Sequence, residues 1–112
     1  MSDEPKPVEI LQGTLNMMIL QVLAAGAANG YEIAKSIERR SDDLLQVEHG
    51  SLYPALRRLE AKGFIEAEWR VSPTNRRARF YTLTATGKQQ ALVEHSRWLS
   101  LAEAITRVMR PA

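Results

Sequence analysis

Two clusters of side chains carry the chemistry that this sequence offers. Ser51, Tyr53, Pro54, Arg57 and Arg58 fall within eight residues, and Arg76, Arg77 and Arg79 fall within four. Guanidinium forks and hydroxyl groups suit phosphates and the edges of bases rather than bond making. The charge is local. Seven basic residues stand against three acidic ones between Arg57 and Arg79, whereas the whole chain carries only +2. Such an asymmetry points to a polyanionic partner more than net charge does.

The first cluster sits on a segment, 50–65, that reads as a helix. Leu52, Leu56 and Leu59 recur at i, i+4 and i+7 and form one apolar stripe. Ser51, Pro54, Arg57 and Arg58 fall away from it. Ser51 is the expected N-cap, with a hydroxyl able to accept a first-turn N–H. Pro54 is then three residues in, where its missing N–H breaks no helical bond. Gly63 is the expected stop, because it tolerates the left-handed conformation that ends helices. A short helix with small and polar residues in its first turn fits the major groove of DNA. Taken alone, the segment is equally compatible with a surface helix whose arginines are merely solvated.

The elements around it decide between those readings. Ile65, Ala67, Trp69 and Val71 alternate with Glu66, Glu68 and Arg70, the period of a half-buried strand. Ser72, Pro73, Thr74 and Asn75 are turn formers. Residues 76–83 read as the return strand, with Tyr81 and Leu83 on one face. Helix, strand, basic turn and strand make a winged helix, in which the hairpin is the wing. The fold class is therefore α+β: mainly α with a small β-hairpin, a winged helix-turn-helix.

At these residues the chain resembles the PadR family of transcriptional regulators. The matching motifs are Gln12-Gly13-Thr14-Leu15, Gly30-Tyr31-Glu32-Ile33, Gly50 to Leu56 with Arg58-Leu59-Glu60, and Asn75 to Tyr81 with Leu83-Thr84 and Gly87. They span about residues 10–90 in order. The resemblance implies a DNA-binding regulator that dimerises through its final helix, in a short form without a larger C-terminal domain. Family members often carry a proline and a histidine in the turn at 26–30. Alanine and Asn29 stand there instead, which weakens any expectation of a DNA contact from that turn.

The remaining chain divides as follows. Residues 1–8 read as a loose tail, 9–83 as the DNA-binding domain and 84–110 as a dimerisation helix. A first helix is expected at about 9–25, with Leu11, Leu15, Met18 and Val22 as its apolar stripe, widened by Ile19 and Leu23. A second is expected at about 30–40. Ile33, Ala34 and Ile37 can face the core there, while Tyr31, Lys35 and Arg39 share another face. Tyr31 and Lys35 are thus candidate phosphate contacts, or else part of a solvated face. Leu45 and Val47 should tuck into the core, with His49 just before the next helix cap.

Thr84 is the expected N-cap of the last helix, which can run to about Met109. At about 1.5 Å per residue it is roughly 39 Å long, more than so small a domain can cover. Ala91, His95, Trp98, Ala102, Ile105 and Met109 recur at spacings of 4, 3, 4, 3 and 4, a heptad seam widened by Leu92 and Leu99. In a monomer that stripe would face water, so a two-fold homodimer is expected. Some short relatives bind flat aromatic compounds between tryptophans on this helix. Trp98 and His95 are accordingly candidate ligand residues for an aromatic inducer, against the plainer reading that Trp98 only packs the dimer core.

Composition bounds the rest. With 112 residues, 45% of them hydrophobic, the chain holds one domain with a real core. It has no cysteine and only two histidines, so neither a disulfide framework nor a metal site is expected. No phosphate loop, nucleophile with base or cofactor motif occurs, so neither an enzyme nor a cofactor is expected. The N-terminal residues lack the pattern of a signal peptide, and 15–28 is too interrupted to span a bilayer. A cytoplasmic, dimeric repressor of a palindromic operator is the expectation. The alternatives are a winged-helix protein–protein interaction module without specific DNA binding and a regulator of a neighbouring family such as MarR.

Overall fold

A computed structural model describes residues 10–112. The expected tail at 1–8 and the expected helix start at Glu9 lie outside them. The elements run α1 (Gln12–Leu23), β1 (Ala28–Asn29), α2 (Gly30–Arg40), α3 (His49–Ala61), β2 (Ile65–Val71), β3 (Arg77–Leu83) and α4 (Ala85–Met109). The three strands form one antiparallel sheet in the order β1-β3-β2. This is the expected winged helix, with a third strand that the sequence reading took for a turn. Ala28 pairs with Tyr81 and Asn29 with Phe80.

Helix α1 is the hub, packing on α2, α3 and α4. Its Leu15, Ile19 and Leu20 are buried with Ile33 of α2, Leu52, Leu56 and Leu59 of α3 and Ile65 of β2. Leu11, expected in the stripe, is exposed just ahead of the helix, as its N-cap. Val47 is buried and Leu45 packs against the core, as expected. The Val47 N–H donates to the Glu38 carboxylate at 3.0 Å, which holds the connector down.

Local chemistry explains the helix ends. Asn29 and Glu32 form a reciprocal capping box at the start of α2. Helix α3 ends in a Schellman motif. Gly63 takes φ 77°, its N–H donates to the Glu60 carbonyl, and the Phe64 N–H donates to that of Leu59, each at 3.0 Å. Thr84 caps α4 by accepting the Gly87 N–H at 3.0 Å.

The start of α3 differs from expectation. The helix begins a turn earlier, with Glu48 at the N-cap and no side-chain capping bond. Ser51 is therefore inside the first turn, and His49 opens the helix rather than preceding its cap. Pro54 lies in the helix interior, so the Gly50 carbonyl lacks the donor that another residue would supply.

Candidate nucleic-acid interface

With Leu52, Leu56 and Leu59 turned into the core, α3 leaves Ser51, Tyr53 and Arg57 exposed and Pro54 half-buried. Arg58 departs from the expected set. It is half-buried, and one of its terminal nitrogens donates to Asn16 Oδ1 of α1 at 3.4 Å. The cause is angular. One residue turns a helix by about 100°, and that step carries Arg58 round toward α1 while Arg57 stays in solvent.

The wing brings a second group to the same face. Strand β2 alternates as expected, but only its base is buried, because the hairpin outruns the core. Ile65 is buried, whereas Trp69 and Val71 are 58% and 61% exposed. Trp69 faces Arg79 across the hairpin, and Val71 faces Arg77. Arg79 bonds the Glu60 carboxylate of α3 at 3.0 Å, tying wing to helix. Arg77 lies over the Trp69 ring, 5.0 Å from its centroid. The turn is closed by the Ser72 N–H donating to the Arg76 carbonyl at 2.8 Å, with Asn75 at φ 61°. Arg57, Arg76 and Arg77 have no carboxylate within ion-pair distance among the described residues.

Helix α2 adds its first turn. Tyr31 is exposed and Lys35 lies 5.7 Å from its ring centroid, so the two do share a face. Lys35 also pairs with Glu38 at 3.6 Å. Between α2, α3 and the wing lies a cleft of about 410 Å³, lined by Tyr31, Tyr53, Arg57, Trp69, Arg77 and Arg79 among others. A Cβ at Gly30 would come within 3.1 Å of the Tyr53 ring, so glycine makes room for it. Tyr81 at the base is buried, and desolvation pushes its hydroxyl above its ordinary pKa while Arg79 pulls it down. The sequence reading missed Trp69 and the Glu60–Arg79 pair here. Counting the hairpin register back from the turn would have placed Trp69 beside both arginines.

Helix α4 offers a different surface. Leu92, Trp98, Leu99, Ile105 and Met109 are exposed, His95 is exposed and Ala102 is half-buried. Ala91, expected in the dimer seam, is buried in the core of its own domain. His95 and Trp98, expected to share a site, line separate clefts in the protomer. Trp98 sits with Leu11, Thr14, Met17 and Leu101. His95 sits with Gln21, Ala24 and Leu92. No group of three or more His, Cys, Asp or Glu residues able to hold a metal occurs among the described residues. None of the described helices is long and apolar enough to cross a membrane.

Four helices, a three-stranded sheet and an arginine-bearing wing define a winged-helix regulator. The model of the PadR-like transcriptional regulator family matches residues 19–92, and the chain belongs to that family. It is 32% identical over 76 residues to the negative transcriptional regulator PadR of Bacillus subtilis, a match covering 68% of this chain and 42% of that protein. A transcriptional regulator from Clostridium thermocellum has a similar structure, with a TM-score of 0.79 at 28% identity over 88% of this chain and 93% of that one. A PadR family regulator from Clostridium difficile gives 0.75 at 26% identity, over 86% and 98%.

Proposed function

We propose that this chain is a dimeric repressor that binds a palindromic operator in the cytoplasm and is released by a small aromatic inducer. One observation carries the DNA-binding part. Arg57, Arg76 and Arg77 are exposed, without carboxylate partners among the described residues, on the two elements that a winged helix sends to DNA. In this reading α3 enters the major groove, where Ser51, Tyr53, Pro54 and Arg57 meet base edges. Arg76 and Arg77 take phosphates or a narrow minor groove, and Tyr31 and Lys35 touch the backbone. Arg58, held to Asn16, serves the fold instead.

Dimerisation is supported by α4. Exposed Leu92, Leu99, Ile105 and Met109 would be covered by a second copy of the helix, with His95, Trp98 and Ala102 in the same seam. Two copies of α3 would then meet successive major grooves about 34 Å apart. Repression is supported by similarity to the negative regulator of Bacillus subtilis. The inducer part is supported by Trp98, which is 43% exposed beside a cleft of about 410 Å³.

Selection from random duplex DNA tests the proposal. An enriched palindrome with half-sites one helical turn apart is the expected result. DNA retained with no enriched sequence would leave a non-specific binder. No retention at any salt concentration would favour a protein-binding module.

A further inference from the structure

The face of the wing toward α3 carries an apolar group that neither the core nor the arginine contacts account for. On one face of the hairpin, Ile65 and Tyr81 are buried at 1% and 4%, whereas Trp69, further out, is 58% exposed. Tyr53 of α3 and Tyr31 of α2 are 42% and 63% exposed around the same cleft. Three exposed aromatic side chains on one cleft are an apolar surface with a use.

The charges of the cleft are selective as well. Among the described residues, no carboxylate lines it. Arg79 is already met by Glu60 at 3.0 Å. Arg57 on one wall and Arg77 on the other are unmet, and Arg77 is held over the Trp69 ring at 5.0 Å. The volume, about 410 Å³, lies in the range of small-molecule sites.

Its position names the occupant. The proposed DNA reading, on which this step rests, sends α3 into the major groove and the wing tip toward the adjacent minor groove. The strand dividing those grooves must then cross the space between them, which is this cleft. We propose that the cleft seats one deoxyribose-phosphate unit of that strand. Arg77 takes the phosphate oxygens, as a charge-assisted donor does, while Arg57 on the opposite wall stays with the base edges. The rings of Trp69 and Tyr31, both lining the cleft, take the apolar edge of the sugar. Trp69 is thereby a DNA contact that reads no base and fixes Arg77 in place.

The chain has two tryptophans, so Trp98→Phe leaves Trp69 as the sole indole fluorophore. The experiment titrates that variant with random-sequence duplex, following Trp69 emission and, independently, the anisotropy of labelled DNA. Emission should change saturably with the same midpoint as anisotropy. In an otherwise unaltered chain, Trp69→Ala should weaken operator and random duplex alike by roughly 3- to 10-fold, and Trp69→Phe should restore most of the loss. A single uncharged methylphosphonate placed along the operator should weaken the parent at one position and leave Arg77→Ala unaffected there. Binding by anisotropy with Trp69 emission unchanged, or unaltered affinity in Trp69→Ala, would overturn the cleft assignment and leave the DNA reading standing. Loss confined to one base identity would replace the sugar contact by base reading and overturn it too. Absence of binding by both probes, with the parent chain also failing to change the anisotropy of labelled DNA, would overturn the cleft and the DNA reading together.

Discussion

Gly87 is the position at which a single methyl group should do most damage. It lies in the first turn of α4, where the helix meets the end of α3's connection to the wing. A Cβ built there would stand 1.8 Å from the Phe64 carbonyl oxygen and 2.8 Å from its carbon. Contacts under 3.0 Å essentially never occur at a real Cβ, and here the obstacle is backbone, which cannot rotate away. The helix must retreat by at least 1.2 Å. That retreat strains the Thr84 N–H to Phe64 carbonyl bond, now 3.1 Å, and the Thr84 hydroxyl bond to the Gly63 carbonyl, now 2.7 Å. Overpacking costs about 1–3 kcal/mol and each weakened hydrogen bond about 1. The helix propensity of alanine returns about 1. Gly87→Ala should therefore lose roughly 2–4 kcal/mol. In a domain of this size that corresponds to a melting temperature about 10–20 °C lower. Urea unfolding at fixed protein concentration is the assay, since the stability of the proposed dimer would depend on concentration. Gly13→Ala is the control: it is also helical, has nothing within 4 Å of its Cβ, and should be neutral or slightly stabilising. Gly87→Ala within about 0.5 kcal/mol of the parent, beyond which surface changes rarely reach, would refute the packing argument.

The other expectations concern DNA, assembly and pH. Replacing Arg76 and Arg77 by alanine should flatten the slope of log K against log salt by roughly one to two units; an unchanged slope would leave the wing in solvent. Arg57→Ala should cost about 1–3 kcal/mol on the operator and relax choice at one base position, whereas equal weakening on random DNA would make it a phosphate contact only. Leu99→Glu with Ile105→Glu should give a monomer by sedimentation, and a persistent dimer would move the interface elsewhere. Planar aromatic compounds should quench Trp98, and quenching undiminished in Trp98→Phe would exclude that site. Tyr81 is raised by burial, so its neutral form stabilises the fold fully below the unfolded tyrosine pKa of about 10. Stability should fall as pH rises above that value through the higher folded pKa, and Tyr81→Phe should lessen the fall.

Much of the fold is written in short-range pattern. The leucine stripe of α3, the period of two in β2, the Thr84 cap and the Gly63 stop each depend on neighbours within a turn or two. What the sequence hides depends on partners far away. β1 is two residues long and is defined only by backbone pairing with β3, which no side-chain period reports. Arg57 and Arg58 are chemically identical, and only the position of Asn16, 42 residues earlier, separates a solvent-facing arginine from a structural one. Ser51 is the better capping residue, yet the helix starts at His49, with the Ser51 and Leu52 N–H groups both donating to the Glu48 carbonyl. Trp69 shows the same limit in the sheet. Alternation fixes its face, but burial depends on how far the core extends beneath the hairpin.

The α1 hub also bears on how an inducer beside Trp98 would act on a helix some distance off. Trp98 shares a cleft with Thr14 and Met17 of α1 and with Leu11 just ahead of it, and Ala91 of α4 is buried in the shared core. Asn16 of the same α1 accepts from Arg58 of α3. A change in how α4 sits on α1 therefore has a contiguous packed route to the recognition helix. Such a route transmits nothing by itself; the ligand must bind one arrangement of the two helices more tightly than the other. The half-buried Arg58 is the informative joint, because its bond to Asn16 is long, at 3.4 Å, and so is sensitive to small shifts of α1. Arg58→Lys would keep the charge and lose the fork that reaches Asn16. Operator affinity without inducer should then change little, while the inducer concentration needed for release should shift. If release is unaltered in Arg58→Lys, and Leu99 and Ile105 still hold the dimer, the signal passes from α4 through the dimer axis instead of through α1.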